Sequence, residues 1–156
     1  MPLKALRLPV CIVSLVGLVG CTDKVPEDPR ADPRDPGRVA LGAEIYRQHC
    51  AACHGTKLEG QPSWRERLPN GRLPAPPHDE SGHTWHHPDE VLFGITKHGL
   101  VAGKYAPANY ESDMPAFDGK LSDEEIWAVL AYIKGHWKSA DILAARAEML
   151  RNLSPR

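Results

Sequence analysis

Cysteine is scarce in this sequence, and its scarcity limits the sites that the chain can build. There are four cysteines in 156 residues. Cys11 and Cys21 lie in the apolar N-terminal segment, so only Cys50 and Cys53 remain for the rest of the chain. A four-cysteine zinc site is therefore excluded. A mixed site would need histidines such as His78 at no recognised spacing.

The sequence also lacks a large net charge, runs of alternating apolar and polar residues, and internal repeats. The formal net charge is -1, and removal of residues 1–20 takes away two basic residues and no acid, which brings it to -3. No clustered basic surface is evident, so we expect no nucleic-acid partner. Strands that are buried on one face would alternate apolar and polar residues, and no such run is present. The sequence therefore predicts one small all-α domain.

No apolar run is long enough to span a bilayer as a helix, which needs about 20 residues. The longest, Leu8–Gly20, follows two basic residues and has the character of a secretory signal peptide over residues 1–20. It ends in Leu18-Val19-Gly20-Cys21, which resembles the lipobox of bacterial lipoproteins, where the cysteine is lipidated and becomes the mature N-terminus. An ordinary cleaved signal and an uncleaved anchor are the alternatives. All three place the remaining chain outside the cytoplasm.

Residues 21–37 are predicted to be the lipidated cysteine and a linker. Four prolines alternate there with aspartate and arginine, and almost nothing apolar is available for burial. In polyproline geometry, sixteen residues would reach on the order of 50 Å, at about 3.1 Å per residue. Such a tether would hold the following domain away from a membrane.

The segment Cys50-Ala51-Ala52-Cys53-His54 is the clearest motif. C-x-x-C-H is the attachment signature of a c-type haem, because two thiols can bond one porphyrin edge while the next imidazole binds the iron. A redox dithiol would instead be expected to follow a strand, and the residues before Cys50 have a helical pattern. The motif occurs once, so we predict one covalently attached haem c.

Apolar spacing and capping signals predict four helices. The strongest begins after Ser122, because Ser122-Asp123-Glu124-Glu125 forms a capping box ahead of apolar residues at i, i+3, i+4 and i+7. The other predicted helices are Val39–Gln48, Pro88–Lys97 and Ser139–Asn152. The last gives a helical extension over residues 138–156.

With these elements placed, residues 38–137 resemble class I c-type cytochromes, which are single-haem, all-helical electron carriers. The resemblance is carried by Gly42-x-x-x-Tyr46-x-x-x-Cys50, Cys50–Gly55, Asp113–Phe117 and Leu121–Ile133. It implies a fold wrapped around one haem, in which the first and last helices of the domain cross near Gly42 and an aromatic such as Tyr132. Glycine suits that position because it lets another helix approach closely.

Met114 is the candidate sixth ligand of the iron, opposite His54. Of three methionines, Met1 leaves with the signal and Met149 lies beyond the matched region. Only Met114 lies in a loop between two predicted helices, and the proline after it favours an extended backbone. Histidine and methionine together are an established ligand pair in cytochromes c.

Two further haem contacts are expected. The second ring nitrogen of a metal-bound histidine usually has an orienting hydrogen-bond partner. The resemblance implies that a proline-loop carbonyl accepts this bond from His54, and Pro76 is preferred among Pro74, Pro76 and Pro77. Trp85 is expected to contact the haem, either through a propionate or by packing against the porphyrin.

The histidines between His78 and His87 are not required by an electron carrier. Four of them fall within ten residues, at positions 78, 83, 86 and 87. They could bind a second metal or supply a histidine in place of Met114. Solvated loop histidines are the alternative, and His86-His87-Pro88 also suits the entry to a helix.

The sequence as a whole predicts a monomeric, lipid-anchored electron carrier that passes single electrons between extracytoplasmic redox proteins. Four lysines, Lys57, Lys97, Lys104 and Lys120, are candidates for the rim of a docking surface around the haem edge. The alternatives are a haem-containing enzyme subunit or ligand sensor with a displaceable sixth ligand, and a metal-handling protein that uses the histidine loop.

Overall fold

A computed structural model of the chain describes residues 27–153. The predicted signal peptide, Cys21 and residues 22–26 of the predicted linker lie outside this range. Within it there are five α-helices and no strand, in agreement with the predicted all-α class. The helices are α1 (Pro36–His49), α2 (Ala51–His54), α3 (Asp89–His98), α4 (Asp123–Lys134) and α5 (Ala140–Leu153). Single 3-10 turns lie at Pro29–Ala31 and Thr84–His86.

Helix α4 forms the centre of the core. The predicted capping box is confirmed, because the Glu125 N–H donates to the Ser122 hydroxyl at 3.3 Å and the Ser122 N–H donates to the Glu125 carboxylate at 2.8 Å. Every residue from Ile126 to Ala131 is buried, which is broader than the single apolar stripe of a surface helix. Burial of each large aliphatic side chain contributes about 1.5–3 kcal/mol.

Helix α1 crosses α4 at Gly42, as expected. A Cβ added to Gly42 would lie 1.9 Å from the Ala128 carbonyl oxygen and 2.9 Å from the Tyr132 Cβ. The two backbones therefore approach more closely than any side chain at this position would allow. One turn further along α1, the rings of Tyr46 and Tyr132 pack with centroids 5.3 Å apart. The crossing fixes the position of the C-terminal end of α1, which Cys50 follows directly.

The predicted linker is wrong for residues 27–37, which form part of the folded unit. Ala31 is fully buried in the core, the Arg30 guanidinium lies 4.0 Å above the Trp127 ring, and Asp35 caps α1, which begins at Pro36. Composition indicated a linker because charged residues and proline dominate. Here the charges find partners within the domain, and Pro29 and Pro36 occupy first-turn positions where helices tolerate proline.

Helix α5 is attached to the domain by buried charges. Arg146 is 1 % exposed, and its guanidinium contacts both Glu27 and Asp89 at the start of α3. Lys134 at the end of α4 donates to the same two carboxylates, to Asp89 at 2.7 Å. We call Glu27, Asp89, Lys134 and Arg146 the ion cluster. It ties both flanking segments to α3 and α4.

Candidate functional site

The two cysteines lie on one helical turn at the end of α1. The Cys50 N–H donates to the Tyr46 carbonyl at 2.9 Å, and the N–H groups of Cys53 and His54 both donate to the Cys50 carbonyl, at 3.1 and 2.9 Å. This turn brings both thiols and the imidazole to the same region. Cys50 is half-buried and Cys53 is exposed.

The Cys50 thiol lacks the electrostatics of a redox-active cysteine. Burial, with a smaller contribution from Cys53, raises the pKa of the Cys50 thiol to about 11. A reactive cysteine needs a lowered pKa, because the thiolate is the nucleophile. The geometry therefore favours covalent attachment of a group over dithiol exchange.

His54 is buried and oriented by Pro76. Its Nδ1 lies 2.8 Å from the Pro76 carbonyl oxygen, which is the contact implied by the resemblance. A carbonyl can only accept, so Nδ1 carries the proton and Nε2 keeps a free lone pair. Burial lowers the pKa of His54 despite the opposing effect of this hydrogen bond. The ring is therefore neutral at pH 7 and able to bind a metal through Nε2.

The Pro76 loop is held against the turn that follows His54. The Gly60 N–H donates to the His54 carbonyl at 2.8 Å, and the Gln61 N–H donates to the Ala75 carbonyl at 2.9 Å. A Cβ on Gly60 would lie 2.7 Å from the Pro76 carbonyl carbon, so only glycine permits this approach. The orientation of the His54 ring thus depends on backbone contacts on both sides of it.

Met114 lies in the loop between α3 and α4. Its N–H donates to the Ser112 hydroxyl at 3.0 Å, and the loop rejoins α3 where the Phe117 N–H lies 3.2 Å from the Thr96 carbonyl. Arg72 binds the Asp113 carboxylate and so links the Met114 loop to the segment that leads to Pro76. Met114 itself is half-buried against the core.

The two thiols, the imidazole, the Pro76 carbonyl segment and Met114 line one cavity of about 520 Å³, which falls within the usual range of cofactor sites. Cys50, Cys53, His54, Pro76 and Met114 contribute to its wall. The remaining wall is mostly apolar and includes the inner face of α4. The structure therefore brings together five of the six predicted site residues. Two attachment thiols, one neutral imidazole and one thioether around an apolar cavity are a donor set that fits an iron porphyrin.

Trp85 is the sixth predicted residue, and the structure does not bring it to the cavity. Its indole N–H donates to the Gly82 carbonyl at 3.1 Å, and its ring packs against His86. Trp64 lines the cavity instead. Trp64 could not be predicted from the sequence, because the segment around it has no periodicity. In the sequence, this tryptophan lies between a proline-containing turn and Arg65. The Arg65 guanidinium carbon lies 4.0 Å from the centroid of the Trp64 ring.

The histidines of the 78–87 loop do not converge on one point. The His78 ring stacks on His54 with centroids 3.9 Å apart, and its Nδ1 is buried without a hydrogen-bond partner in the described part of the chain. His83 and His87 line the cavity, whereas His86 is exposed and does not. Among residues 27–153, no three His, Cys, Asp or Glu side chains are grouped as a metal site.

Comparison with known families agrees with this geometry. The family profile for cytochrome c matches residues 39–137. The chain belongs to the cytochrome c family. Members carry covalently attached haem c, and Cys50 and Cys53 supply the thiols for it in this cytochrome. Cytochrome c domains are typically extracytoplasmic and serve in haem-based electron transfer.

One characterised relative is the thiosulfate dehydrogenase of Stutzerimonas stutzeri (strain A1501), which is 31% identical over 117 residues. The match covers 74% of this chain and 32% of the relative, so the cytochrome spans about a third of that protein. No solved structure gives a significant match. In the range 27–153, no helix is both long and apolar enough to cross a membrane.

Proposed function

We propose that this cytochrome is a single-haem carrier that passes one electron at a time between extracytoplasmic redox proteins. The observation that supports this most directly is that His54 and Met114 line the same cavity as the two thiols. The chain thus holds an imidazole and a thioether that would both bind the iron of a haem in this cavity. A filled coordination sphere leaves no position for a substrate, which favours electron transfer over catalysis.

The protein's own groups set the properties of the site. The bound haem supplies an iron that changes by one electron, and a thioether ligand favours its ferrous form and raises the potential. His54 is held in one tautomer by Pro76, which keeps the donor nitrogen oriented. The Met114 loop is fixed at Ser112 and Phe117, so the thioether need not be ordered when it binds.

Electron exchange with a partner requires one haem edge near the surface. Cys53 is exposed, so a haem bonded to it would have its attachment edge near the surface, where a partner could dock. Of the lysines expected at the rim, Lys97 forms an ion pair with Asp123 at 2.6 Å and Lys104 lies over the Tyr105 ring. Lys57 and Lys120 are exposed and remain the better candidates for partner contacts.

Exchange of Met114 tests the carrier assignment. Met114→Leu keeps the volume and removes the thioether, so we expect loss of the far-red methionine-to-iron band of the ferric protein, a lower midpoint potential and tight cyanide binding. Met149→Leu in α5 is the matched control and should leave all three unchanged. A wild-type protein that binds cyanide as readily as the Met114→Leu variant would contradict the assignment.

We further propose that Cys21 carries a lipid anchor, on the basis of the Leu18–Cys21 motif. Because the fold holds Glu27 in the ion cluster, the tether spans only about 21 Å from Cys21 at full extension, well short of the 50 Å expected for a longer linker. The domain would then stay close to the membrane. Cys21→Ser should release the holoprotein from membranes, and membrane association that persists in this variant would refute the anchor.

An enzyme module is the second candidate, because the thiosulfate dehydrogenase relative includes a region similar to this chain. In that case the purified ferric cytochrome, or its complex with a further subunit, would be reduced on addition of thiosulfate. The carrier proposal expects no reduction by thiosulfate alone and fast reduction by a protein donor. Stopped-flow absorbance at the haem bands separates the two.

A further inference from the structure

Three histidines of the 78–87 loop, His78, His83 and His87, line the haem cavity, and none of them is in the ligand set. His83 and His87 contact each other, with ring centroids 5.4 Å apart and planes at 70°. His78 is instead occupied against His54, and His86 packs on Trp85 away from the cavity. His83 and His87 are therefore available for a role other than binding the iron.

Both residues are held in place by neighbours. The His83 ring stacks on Trp64 with centroids 5.4 Å apart and planes only 11° from parallel. The backbone of His87 is fixed by Arg146, whose Nη1 donates to the His87 carbonyl at 2.7 Å. The pair therefore belongs to a fixed section of the cavity wall, and His83 is exposed there.

Haem brings two propionate carboxylates into this cavity, at an edge other than the one that carries the thioether carbons. Carboxylates in a mostly apolar cavity need hydrogen-bond donors or cations. In the described chain, no lysine or arginine side chain lines the cavity, so histidine is the only residue type in its wall that can become a cation.

Five histidines line the cavity: His49, His54, His78, His83 and His87. His49 adjoins Cys50 at the thioether edge, His54 is the iron ligand, and His78 stacks on His54. His83 and His87 are the two that remain.

We propose that His83 and His87 hold the haem propionates and take up one proton from solvent when the haem iron gains an electron. The step balances: one electron from the redox partner converts ferric to ferrous iron, and one proton adds to an imidazole nitrogen. No bond breaks. The inference deepens the proposed carrier role, because it assigns the carrier a coupled proton.

Without a carboxylate nearby, the surrounding groups oppose protonation of both rings. Partial desolvation lowers the pKa of His83, and Arg65 and His86 add to the effect. Desolvation also lowers the pKa of His87, with further contributions from His83, His86 and Arg146. Asp113 is the one carboxylate of the described chain among the cavity-lining residues, and it is paired with Arg72.

A carboxylate within hydrogen-bond distance would oppose this lowering and bring a ring towards the titration range near neutral pH. Reduction then removes one positive charge from the haem, which makes the nearby imidazole hold its proton more strongly. Between the pKa values of the ferric and ferrous forms, the midpoint potential should fall with rising pH, by at most 59 mV for each tenfold change in proton concentration.

The test is the midpoint potential of the holoprotein, measured from about pH 5 to pH 8, where histidine titrates. The wild type should show the falling segment, and the double variant His83→Gln/His87→Gln should show a flat profile. His86→Gln, from the same loop but outside the cavity wall, is the matched control and should keep the slope. A flat wild-type profile, or a slope that survives in the double variant, would overturn the inference.

A second measurement needs no variant. Ring-proton NMR of the wild-type holoprotein in both oxidation states should show His83 or His87 titrating at higher pH in the ferrous form. Identical titration in both states would refute proton coupling. If the wild type gives no reversible one-electron couple at all, the carrier proposal fails, whereas a normal couple that is independent of pH counts only against the histidine pair.

Discussion

Arg146→Met should destabilise the domain strongly, because all three guanidinium nitrogens of Arg146 donate hydrogen bonds inside the fold. Its Nε and Nη2 donate to Glu27, Nη2 also donates to Asp89 at 2.7 Å, and Nη1 donates to the carbonyls of Trp85 and His87 at 2.9 and 2.7 Å. The side chains of Arg146 and Asp89 are 2% and 4% exposed. Methionine fills similar volume and supplies none of these bonds.

The expected loss of stability arises from the buried carboxylates that remain after Arg146 is removed. Removal of one partner from a buried ion pair costs about 3–5 kcal/mol, because the other charge stays buried and only partly compensated. For a domain of this size, that corresponds to a fall in melting temperature of roughly 10–20 °C. Arg146→Lys keeps the charge and loses the fork that reaches both carbonyls, so about 1–3 kcal/mol should be lost.

Denaturant and thermal unfolding of the holoprotein, followed by far-UV circular dichroism, measure these differences. Arg151→Met is the matched control, because Arg151 is exposed on the same helix and its loss should change stability by less than about 0.5 kcal/mol. In the Arg146→Met background, Asp89→Asn should recover part of the loss by removing the carboxylate left in excess. An Arg146→Met protein as stable as the Arg151→Met control would refute the structural role given to the ion cluster.

Three further outcomes are expected from the fold. Gly42→Ala should cost about 3 kcal/mol in chemical unfolding, because the new Cβ meets the Ala128 backbone at 1.9 Å, whereas Gly37→Ala, with only a 3.5 Å contact, should be nearly neutral. Ser122→Ala should cost about 0.5–2 kcal/mol through loss of the capping box, and an unchanged midpoint would contradict that. Burial opposes ionisation of Glu27, but hydrogen bonds from Arg146 and Lys134 outweigh it and lower its pKa. The stability that the Glu27 carboxylate contributes is therefore fully present above the usual pKa of glutamate. It is lost as the pH falls through the lowered pKa of the folded protein. Glu27→Gln should accordingly be less stable than the wild type at pH 7 and equally stable in strong acid.

Features written in local sequence were predictable. The capping box of α4 needs residues three apart, and the C-x-x-C-H turn needs five consecutive residues, so both can be read directly from the chain. Met114 could be predicted because few methionines compete for its role. The crossing at Gly42 joins distant residues, and it was expected because the resemblance to a known family supplied the pairing.

Features that depend on unrelated distant residues were missed. Glu27 and Arg146 are 119 positions apart, and nothing near either residue indicates the other. For the same reason, residues 27–37 were predicted to be a linker, since their charges have no partners in the neighbouring sequence. Trp64 and His83 form a stacked pair between two loops without periodicity, so composition alone could not place them at the cavity.

The central claim is that Met114 and His54 are the two axial ligands of the bound haem. Proton NMR of the ferrous holoprotein tests this most directly, because a methionine methyl held over the porphyrin is shifted far upfield by the ring current. We expect one such three-proton resonance, absent in Met114→Leu and retained in Met149→Leu. A wild-type spectrum without this resonance, or one that keeps it in Met114→Leu, would contradict the proposed ligand set.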